Sequence, residues 1–315
     1  MNFSEFKTAF QKTPVTEHPN KVSTKPKVSI CVPTYNHKLY ISKCLESILN
    51  QKTDFEFEIL LGDDESTDGT EKICREFAQK FPDKIRLFSH KRMNNIKVDE
   101  TSTGIFNALY SLYSANGEYI AYCDGDDYWG DKSKLQTQVD FLEKNPDYIL
   151  TFHQVEYLNS KSKQTKLKRY EKDLSSEDLK KVIIQPLLIS ICFRNVIKDF
   201  PLGITQIINS DNFLTSLLGH YGKGKFLSSI KPAYYRIHRN GIWSLKSKEI
   251  QLQSKIKTFK VIFNFYKNNN DPNLCFFFKE RTKNYKKMLV YYNIRHYNIF
   301  RTITNLVSLV SFTLK

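Results

Sequence analysis

No stretch of these 315 residues is apolar for long enough to span a bilayer, which takes about 20 predominantly apolar residues. The longest late tract, Ile303 to Leu314, is interrupted by Thr304, Asn305, Ser308, Ser311 and Thr313. The first twenty residues are polar and lack the apolar segment of a secretory signal. Six cysteines (Cys31, Cys44, Cys74, Cys123, Cys192 and Cys275) form no CxxC pair and no cysteine–histidine spacing suited to zinc. Most lie inside apolar runs, the pattern of reduced core residues in a cytoplasmic protein. A GxxxxGK run followed by Ser or Thr is missing, as is GxGxxG, so neither a P-loop nor a dinucleotide fingerprint is present. A diphosphate would have to be held by a metal ion and basic side chains instead. There is no internal repeat and no RRM or KH signature.

What the chain does have is charge, unevenly placed. Residues 1–150 hold 19 Lys and Arg against 23 Asp and Glu, a balance of −4, whereas residues 151–315 hold 29 against 10, a balance of +19. The basic half therefore has to meet an anion: lipid, a phosphorylated substrate or nucleic acid. An RNA-binding protein would leave the clustered acids of the first half without a purpose, so no nucleic-acid partner is expected.

Residues 1–26 read as a polar leader punctuated by Pro14, Pro19 and Pro26. Val28 to Val32, Phe57 to Leu61, Ile85 to Ser89 and Tyr119 to Cys123 then read as strands. The helical patterns between them carry Leu39, Leu45, Ile48 and Leu49, next Ile73, Phe77 and Ala78, and last the segment Thr103 to Ala115. This alternation predicts an α/β fold with a mainly parallel sheet flanked by helices. Right-handed crossovers gather the loops after the strands along one edge, with Thr34, Asn36, Asp63, Asp64, Asp124 and Asp126 on it. A further strand is expected from Tyr148 to Tyr157, followed by a lysine-rich polar loop from Ser160 to Lys172. From Glu249 onward the pattern is helical and basic. Ile256, Phe259, Ile262, Phe263 and Tyr266 form one stripe beside Lys255, Lys257, Lys260 and Lys267.

The most informative run is Tyr119 to Trp129, an apolar strand that ends in Asp124, Asp126 and Asp127 around Gly125. Three acids this close repel one another unless a cation or hydrogen-bond donors compensate. Oxygen ligands suit Mg²⁺ or Mn²⁺, commonly shared with a substrate phosphate. A solvated acidic turn capping the next helix is the plainer reading. The loop Gly62 to Thr70 mimics a calcium loop, but with Asp64 as position 1 the twelfth position is Arg75, where a bidentate Glu is required. Ser66 or Asp68 suits a helix cap. Asp63 and Asp64 are left to accept from a base N–H and ribose hydroxyls.

Pro33-Thr-Tyr-Asn36, the Asp63-Asp64-x-Ser66-x-Asp68-Gly-Thr loop, Asn107, Gly117 to Ile120 and Asp124-Gly-Asp-Asp127 resemble, in order and spacing, the family 2 glycosyltransferases of the GT-A fold. The similarity covers about residues 27–150 and is to the bacterial branch that builds lipopolysaccharide, capsule and other surface polysaccharides. It implies a GT-A domain over 27–245, with a nucleotide-sugar-binding half at 27–150, an acceptor-binding half at 151–245, and a basic amphipathic helical region at 246–315. It also implies a nucleotide-sugar donor, usually a UDP-sugar, a glycan or lipid-linked acceptor, a Mn²⁺ or Mg²⁺ cofactor, and inversion at the anomeric carbon. Pro33, Thr34, Tyr35, Asn36, Asp63, Asp64 and Asn107 would line the nucleoside site. Asp124 and Asp126, around Gly125, would match the DxD signature as metal ligands, and Asp127 would face the donor sugar or its ribose. Family members often place Arg before that asparagine, whereas this chain has Phe106. Asp211 falls where the family keeps its catalytic carboxylate, and a plain helix N-cap is the competing role. Tyr235 to Ser244 resembles the branch's closing motif. Arg236 and His238 would bind the donor diphosphate, His238 would also complete the metal shell, and Gly241 to Ser244, with Trp243, would form a flap over the donor. The basic tail would either lie on an anionic membrane at its cytoplasmic face or pack on the catalytic domain. A sugar nucleotidyltransferase is the enzymatic rival, but the Gly-rich, Arg/Lys-containing loop typical after its first strand does not resemble Thr34 to Lys38.

Overall fold

The computed structural model describes the chain except for residues 159–163, 167–170, 239–240, 242–245, 298 and 315. Residues 1–26 are not a detached leader but part of the fold. Phe3, Phe6 and Phe10 recur at helical spacing and form α1 (Phe3–Phe10), closed by a capping box between Asn2 and Glu5. Phe6 is fully buried and stacks on Phe106, with ring centroids 5.1 Å apart. Phe106, the departure from the family pattern, thus serves as the seat for this helix. The segment then pairs as β1 (Thr16–Glu17), antiparallel to Phe88 and Ser89.

β2 (Val28–Thr34), α2 (Ile41–Leu49), β3 (Phe57–Asp63), α3 (Thr70–Lys80) and β4 (Ile85–Ser89) follow as alternating units. The three strands are parallel. A small hairpin, β5 (Lys97–Val98) and β6 (Thr101–Ser102), leads into α4 (Ile105–Ser114) and β7 (Tyr119–Tyr122), which joins the other side of β2 in parallel. Val28, Ile30 and Val32 enter one apolar cluster and Cys31 the other, so helices cover both faces of the sheet.

The second half completes two sheets. After β8 (Tyr128–Trp129) and α5 (Lys134–Lys144), the expected single strand at Tyr148 to Tyr157 divides into β9 (Tyr148–Phe152) and β10 (Val155–Leu158). β11 (Gln164–Lys166) follows within the expected lysine-rich loop, whose remaining residues lie mostly outside those described. Then come α6 (Ser176–Lys180), β12 (Cys192–Arg194), α7 (Ser210–Leu218), β13 (Lys223–Phe226) and β14 (Ala233–Arg236). The large sheet runs β1-β4-β3-β2-β7-β12-β9-β13, and the small one β11-β10-β14-β8. Pairing of β14 with β8 carries the Tyr235–His238 segment to the turn that follows β7.

The tail forms α8 (Lys248–Asn268), α9 (Pro272–Arg295) and α10 (Ile299–Leu314). The stripe on α8 turns inward: Phe259, Ile262 and Tyr266 are buried, with Ile256 and Phe263 half-buried. The Tyr266 hydroxyl lies 2.8 Å from Ser216 Oγ and 3.0 Å from His220 Nε2, and its ring stacks on Phe278. This stripe is core, while exposed apolar residues occur on α9, where Phe276 is 67% exposed, and on α10, where Phe300 is 81% and Val307 64% exposed. Among the described residues no helix is long and apolar enough to cross a membrane.

The end of β3 is fixed from beneath. Asn107 is buried and its Nδ2 donates to Gly62 O at 2.7 Å; a Cβ on residue 62 would sit 1.9 Å from Asn107 Oδ1. Gly62→Ala is expected to cost about 1–3 kcal/mol by overpacking, read as a lowered urea midpoint with unchanged slope. A midpoint equal to wild type would show that the asparagine yields freely.

Candidate active site

The loops after β2, β3 and β7 are tied to each other through main-chain groups. Asp64 N donates to Thr34 O and Gly125 N to Pro33 O, both at 3.0 Å. Asn36, at φ 54°, donates its N–H to Ser66 Oγ (2.9 Å) and accepts at Oδ1 from Thr67 N (2.8 Å). Asp68 accepts from Lys38 N and Thr70 N rather than facing the cleft. Pro33 and Asn36 therefore brace the site, and Asn107 supports it from below.

Asp63 and Asp64 are buried at this edge. Asp63 Oδ2 accepts from Ser66 N at 3.0 Å, and Asp64 Oδ2 from Asn95 Nδ2 (2.8 Å) and Arg92 Nη1 (3.2 Å). The Arg92 guanidinium lies 3.9 Å over the Tyr35 ring. Burial raises both carboxyls, Asp64 to about 6 even though Asn95 and Arg92 oppose the shift. Asp63 Oδ1, Asp64 Oδ1, Asn95 Oδ1 and Asn107 Oδ1 are buried with no hydrogen-bond partner among the described residues. Buried acceptors are normally satisfied, so the three on Asp63, Asp64 and Asn95 at this edge suit a ligand rich in N–H and O–H donors. Sequence reasoning missed Arg92 and Asn95. The available signal was their place directly after the third strand, on the loop that the crossover rule delivers to the same edge.

The carboxylate turn holds a second constellation. Asp126 Oδ2 lies 2.8 Å from His238 Nε2 and 3.7 Å from His37 Nε2, and one ligand atom from each residue falls within 4.8 Å of the others. Cis ligands of an octahedral ion at about 2.1 Å sit about 3 Å apart, so the three fit one divalent cation. Thr34 Oγ1, 3.1 Å from His37 Nδ1, orients that ring. His37 did not emerge from the sequence. Asp124, expected as a ligand, is not in this cluster among the described residues. Burial opposes ionisation of Asp126, but the His238 hydrogen bond and the nearby His37 hold it below the usual carboxylate range. Asp127 Oδ1 accepts from Arg236 N at 2.8 Å, and burial with Asp126 and Asp124 pushes it well up. The Arg236 side chain donates to Asp126 O and lies over the rings of Tyr128 (4.6 Å) and Tyr40 (5.1 Å). Trp243 and most of the expected flap lie outside the described residues.

Asp124 and Asp127 open into a cavity of about 700 Å³ that also contains Asp211. Asp211 stands in the first turn of α7. The N-cap is Asn209, which makes no side-chain cap bond, and the Asp211 carboxylate takes main-chain hydrogen bonds from the first turn, from Asn212 and from its own N–H. Burial raises its carboxyl and the Lys255 charge opposes that. Burial, Asp126 and Asp211 together push Asp124 up to about 8. The cavity is also lined by Gln251, Lys255 and Phe259 of α8 and by Arg281 and Tyr285 of α9.

A mainly parallel sheet with an acidic turn at its carboxyl edge and a facing carboxylate defines the GT-A class of folds. The family model described as Glycosyl transferase family 2 matches residues 29–200, more than half the chain, and the chain belongs to that family. An uncharacterized protein of Mycobacterium tuberculosis H37Rv is 31% identical over 220 residues, covering 69% of this chain and 60% of that protein. The putative teichuronic acid biosynthesis glycosyltransferase TuaG of Bacillus subtilis is 33% identical over 118 residues, 38% of this chain and 42% of TuaG. The chain thus spans less than two thirds of the length of either relative. Among solved structures, S. aureus TarS 1-349 in complex with UDP-GlcNAc aligns at TM-score 0.52 and 17% identity over 90% of both chains. The Pyrobaculum calidifontis mannosyltransferase PcManGT, in complex with GDP-Man and Mn²⁺, aligns at 0.55 and 17% over 96% of this chain and 80% of that one. At that identity the likeness is one of fold.

Mn²⁺ titration followed by the electron-spin signal of the free ion tests the histidine–carboxylate cluster. Asp126→Asn, His37→Ala and His238→Ala are each expected to weaken binding by roughly tenfold or more, and Asp124→Asn by less. Loss confined to Asp124→Asn would return that residue to the ligand set in place of His37.

Proposed function

We propose that the protein transfers a sugar, with inversion, from a nucleotide-sugar donor to a hydroxyl of a glycan or lipid-linked glycan in bacterial surface-polysaccharide synthesis. The observation that carries this reading is the single cavity in which Asp211 faces the Asp124–Asp127 turn. TarS and PcManGT, each in complex with a nucleotide-sugar, support the donor class. The name of TuaG supports the polysaccharide context.

The nucleoside, a uridine in this reading, donates to the unpaired oxygens of Asp63, Asp64 and Asn95 beside the Tyr35–Arg92 stack. Arg236, fixed by Asp126 O and two tyrosine rings, meets the diphosphate with little ordering left to do. Asp126, His37 and His238 hold the divalent ion, and two imidazoles with one carboxylate favour Mn²⁺ over Mg²⁺. When bound, the ion supplies Lewis-acid stabilisation to the departing diphosphate. Asp211 takes the acceptor hydroxyl proton as that oxygen bonds to the anomeric carbon. The bond from that carbon to the diphosphate oxygen breaks on the opposite face, and the nucleoside diphosphate leaves with its electron pair. Asp127, whose carboxyl burial and its acidic neighbours push well up, can bond a hydroxyl of the donor.

Asp211→Asn is expected to lower turnover by about 10²–10⁴-fold while UDP binds as in wild type. Because the base acts ionised and burial raises its pKa, the acidic limb of kcat/KM lies above the ordinary carboxylate value of about 4. Lys255 lowers that pKa, so Lys255→Gln moves the limb to higher pH. Full turnover by Asp211→Asn, or a limb that moves down in Lys255→Gln, removes Asp211 from the role.

The acceptor, in this reading, is met at the cytoplasmic face of an anionic membrane. α10 presents Phe300, Ile303, Val307 and Val310 to solvent, and residues 246–315 carry 14 Lys and Arg against 3 Asp and Glu. An exposed apolar helix in a strongly basic region suits interfacial docking on such lipid. Flotation with phosphatidylglycerol vesicles is expected to fall sharply in Val307→Asp/Val310→Asp. Undiminished flotation of that variant would rule out α10 as the contact.

A further inference from the structure

Two cations line the cavity that holds Asp211. Lys255 of α8 donates to Asn212 Oδ1 at 2.6 Å, which fixes its ammonium next to the catalytic turn of α7. Arg281 of α9 donates through Nη1 to Lys181 O at 2.6 Å, and its guanidinium lies 4.4 Å over the Phe259 ring. A carbonyl and a ring orient this guanidinium, and among the described residues no carboxylate comes within ion-pair distance of it. Lys255 and Arg281 also repel each other, and burial lowers both from their ordinary values. Asp211 offsets Lys255. Arg281 has a side-chain hydrogen bond with Tyr285 but no such counter-charge among the described residues, and taking a cation out of water costs free energy that a matching anion would recover.

We propose that Lys255 and Arg281 form a phosphate subsite for the acceptor, so that the acceptor carries a phosphate ester close to the hydroxyl that Asp211 activates. The planar fork of Arg281 suits two phosphate oxygens at once, and Lys255 adds a point charge between that group and the base. The Tyr285 side chain, one turn along α9, also lines the cavity. The inference rests on the glycosyl-transfer reading for its meaning, but phosphate binding at this place can be measured without any transfer. Neither residue lies in the stretch matched to the family, 29–200, so the subsite is a property of this chain's own tail.

The test is calorimetric, on the full chain with the donor site filled by UDP and Mg²⁺. Inorganic phosphate, sn-glycerol 3-phosphate and geranyl diphosphate are the titrants. Binding to wild type is expected, weakened roughly tenfold to a hundredfold in Arg281→Gln and partly recovered in Arg281→Lys, with UDP affinity equal in all three proteins. Tighter binding of glycerol 3-phosphate marks a phosphorylated polyol or glycan as the source of the phosphate, and tighter binding of geranyl diphosphate marks a polyprenyl carrier. Either preference supports the subsite. No phosphate binding to wild type, or equal binding to wild type and Arg281→Gln, overturns it. The inorganic phosphate titration is repeated without nucleotide and in EDTA. Should UDP fail to bind wild type, the donor reading falls, while dependence of phosphate binding on Arg281 still decides the subsite.

Discussion

Mutual repulsion among buried carboxylates is the constraint around which this protein is arranged. Asp63, Asp64 and Asp127, which are buried, and Asp124 and Asp126, which are half-buried, crowd one edge of a mainly parallel sheet. The fold answers some of them individually. Asp126 receives two imidazoles, Asp127 a main-chain N–H, and Asp64 a guanidinium and an amide. Other oxygens in the same edge have no partner among the described residues. That imbalance makes the edge a receptor: cations, N–H groups and hydroxyls lower its energy on arrival, and an apolar ligand would not.

Holding charges in such a place requires stiff loops, and the main chain provides them. The turns after β2, β3 and β7 bond to one another through Thr34 O, Pro33 O and Asn36. The small second sheet brings Arg236 and His238 to the acidic turn by strand pairing, so residues more than a hundred positions apart meet at hydrogen-bond distance. Precision at the site thus derives from backbone geometry, with side chains added to a frame already set.

Much of this was legible in the sequence. The alternating strands and helices, the sheet edge with its acids, and the meeting of Asp211 with the acidic turn all follow from periodicity, the crossover rule and family likeness. What escaped had physical reasons. α1 was hidden because three phenylalanines in ten residues sit among polar neighbours, and only their spacing shows the buried face. Tyr148 to Tyr157 read as one strand because no Gly or Pro interrupts the run, although the chain changes sheets at His153 and Gln154. His37, Arg92 and Asn95 sit on loops, where no period constrains a side chain and only the folded edge reveals which residues converge. The α8 stripe was indistinguishable from an interfacial helix because both need the same apolar spacing. What separates them is a partner surface, here α7 and α9, which a single helix pattern does not encode.

The walls of the cavity have an evolutionary consequence. The acids of the sheet edge lie within residues 29–200, whereas Arg236, His238 and Asp211 come from later chain, and Lys255 and Arg281 from helices that pack on the domain without entering its central sheet. Exchange or drift in those two helices would reshape what the cavity admits while the strands that hold the nucleotide edge stay in place. On the transfer reading proposed above, a lineage could in this way change its acceptor by altering a peripheral hairpin instead of reinventing an enzyme.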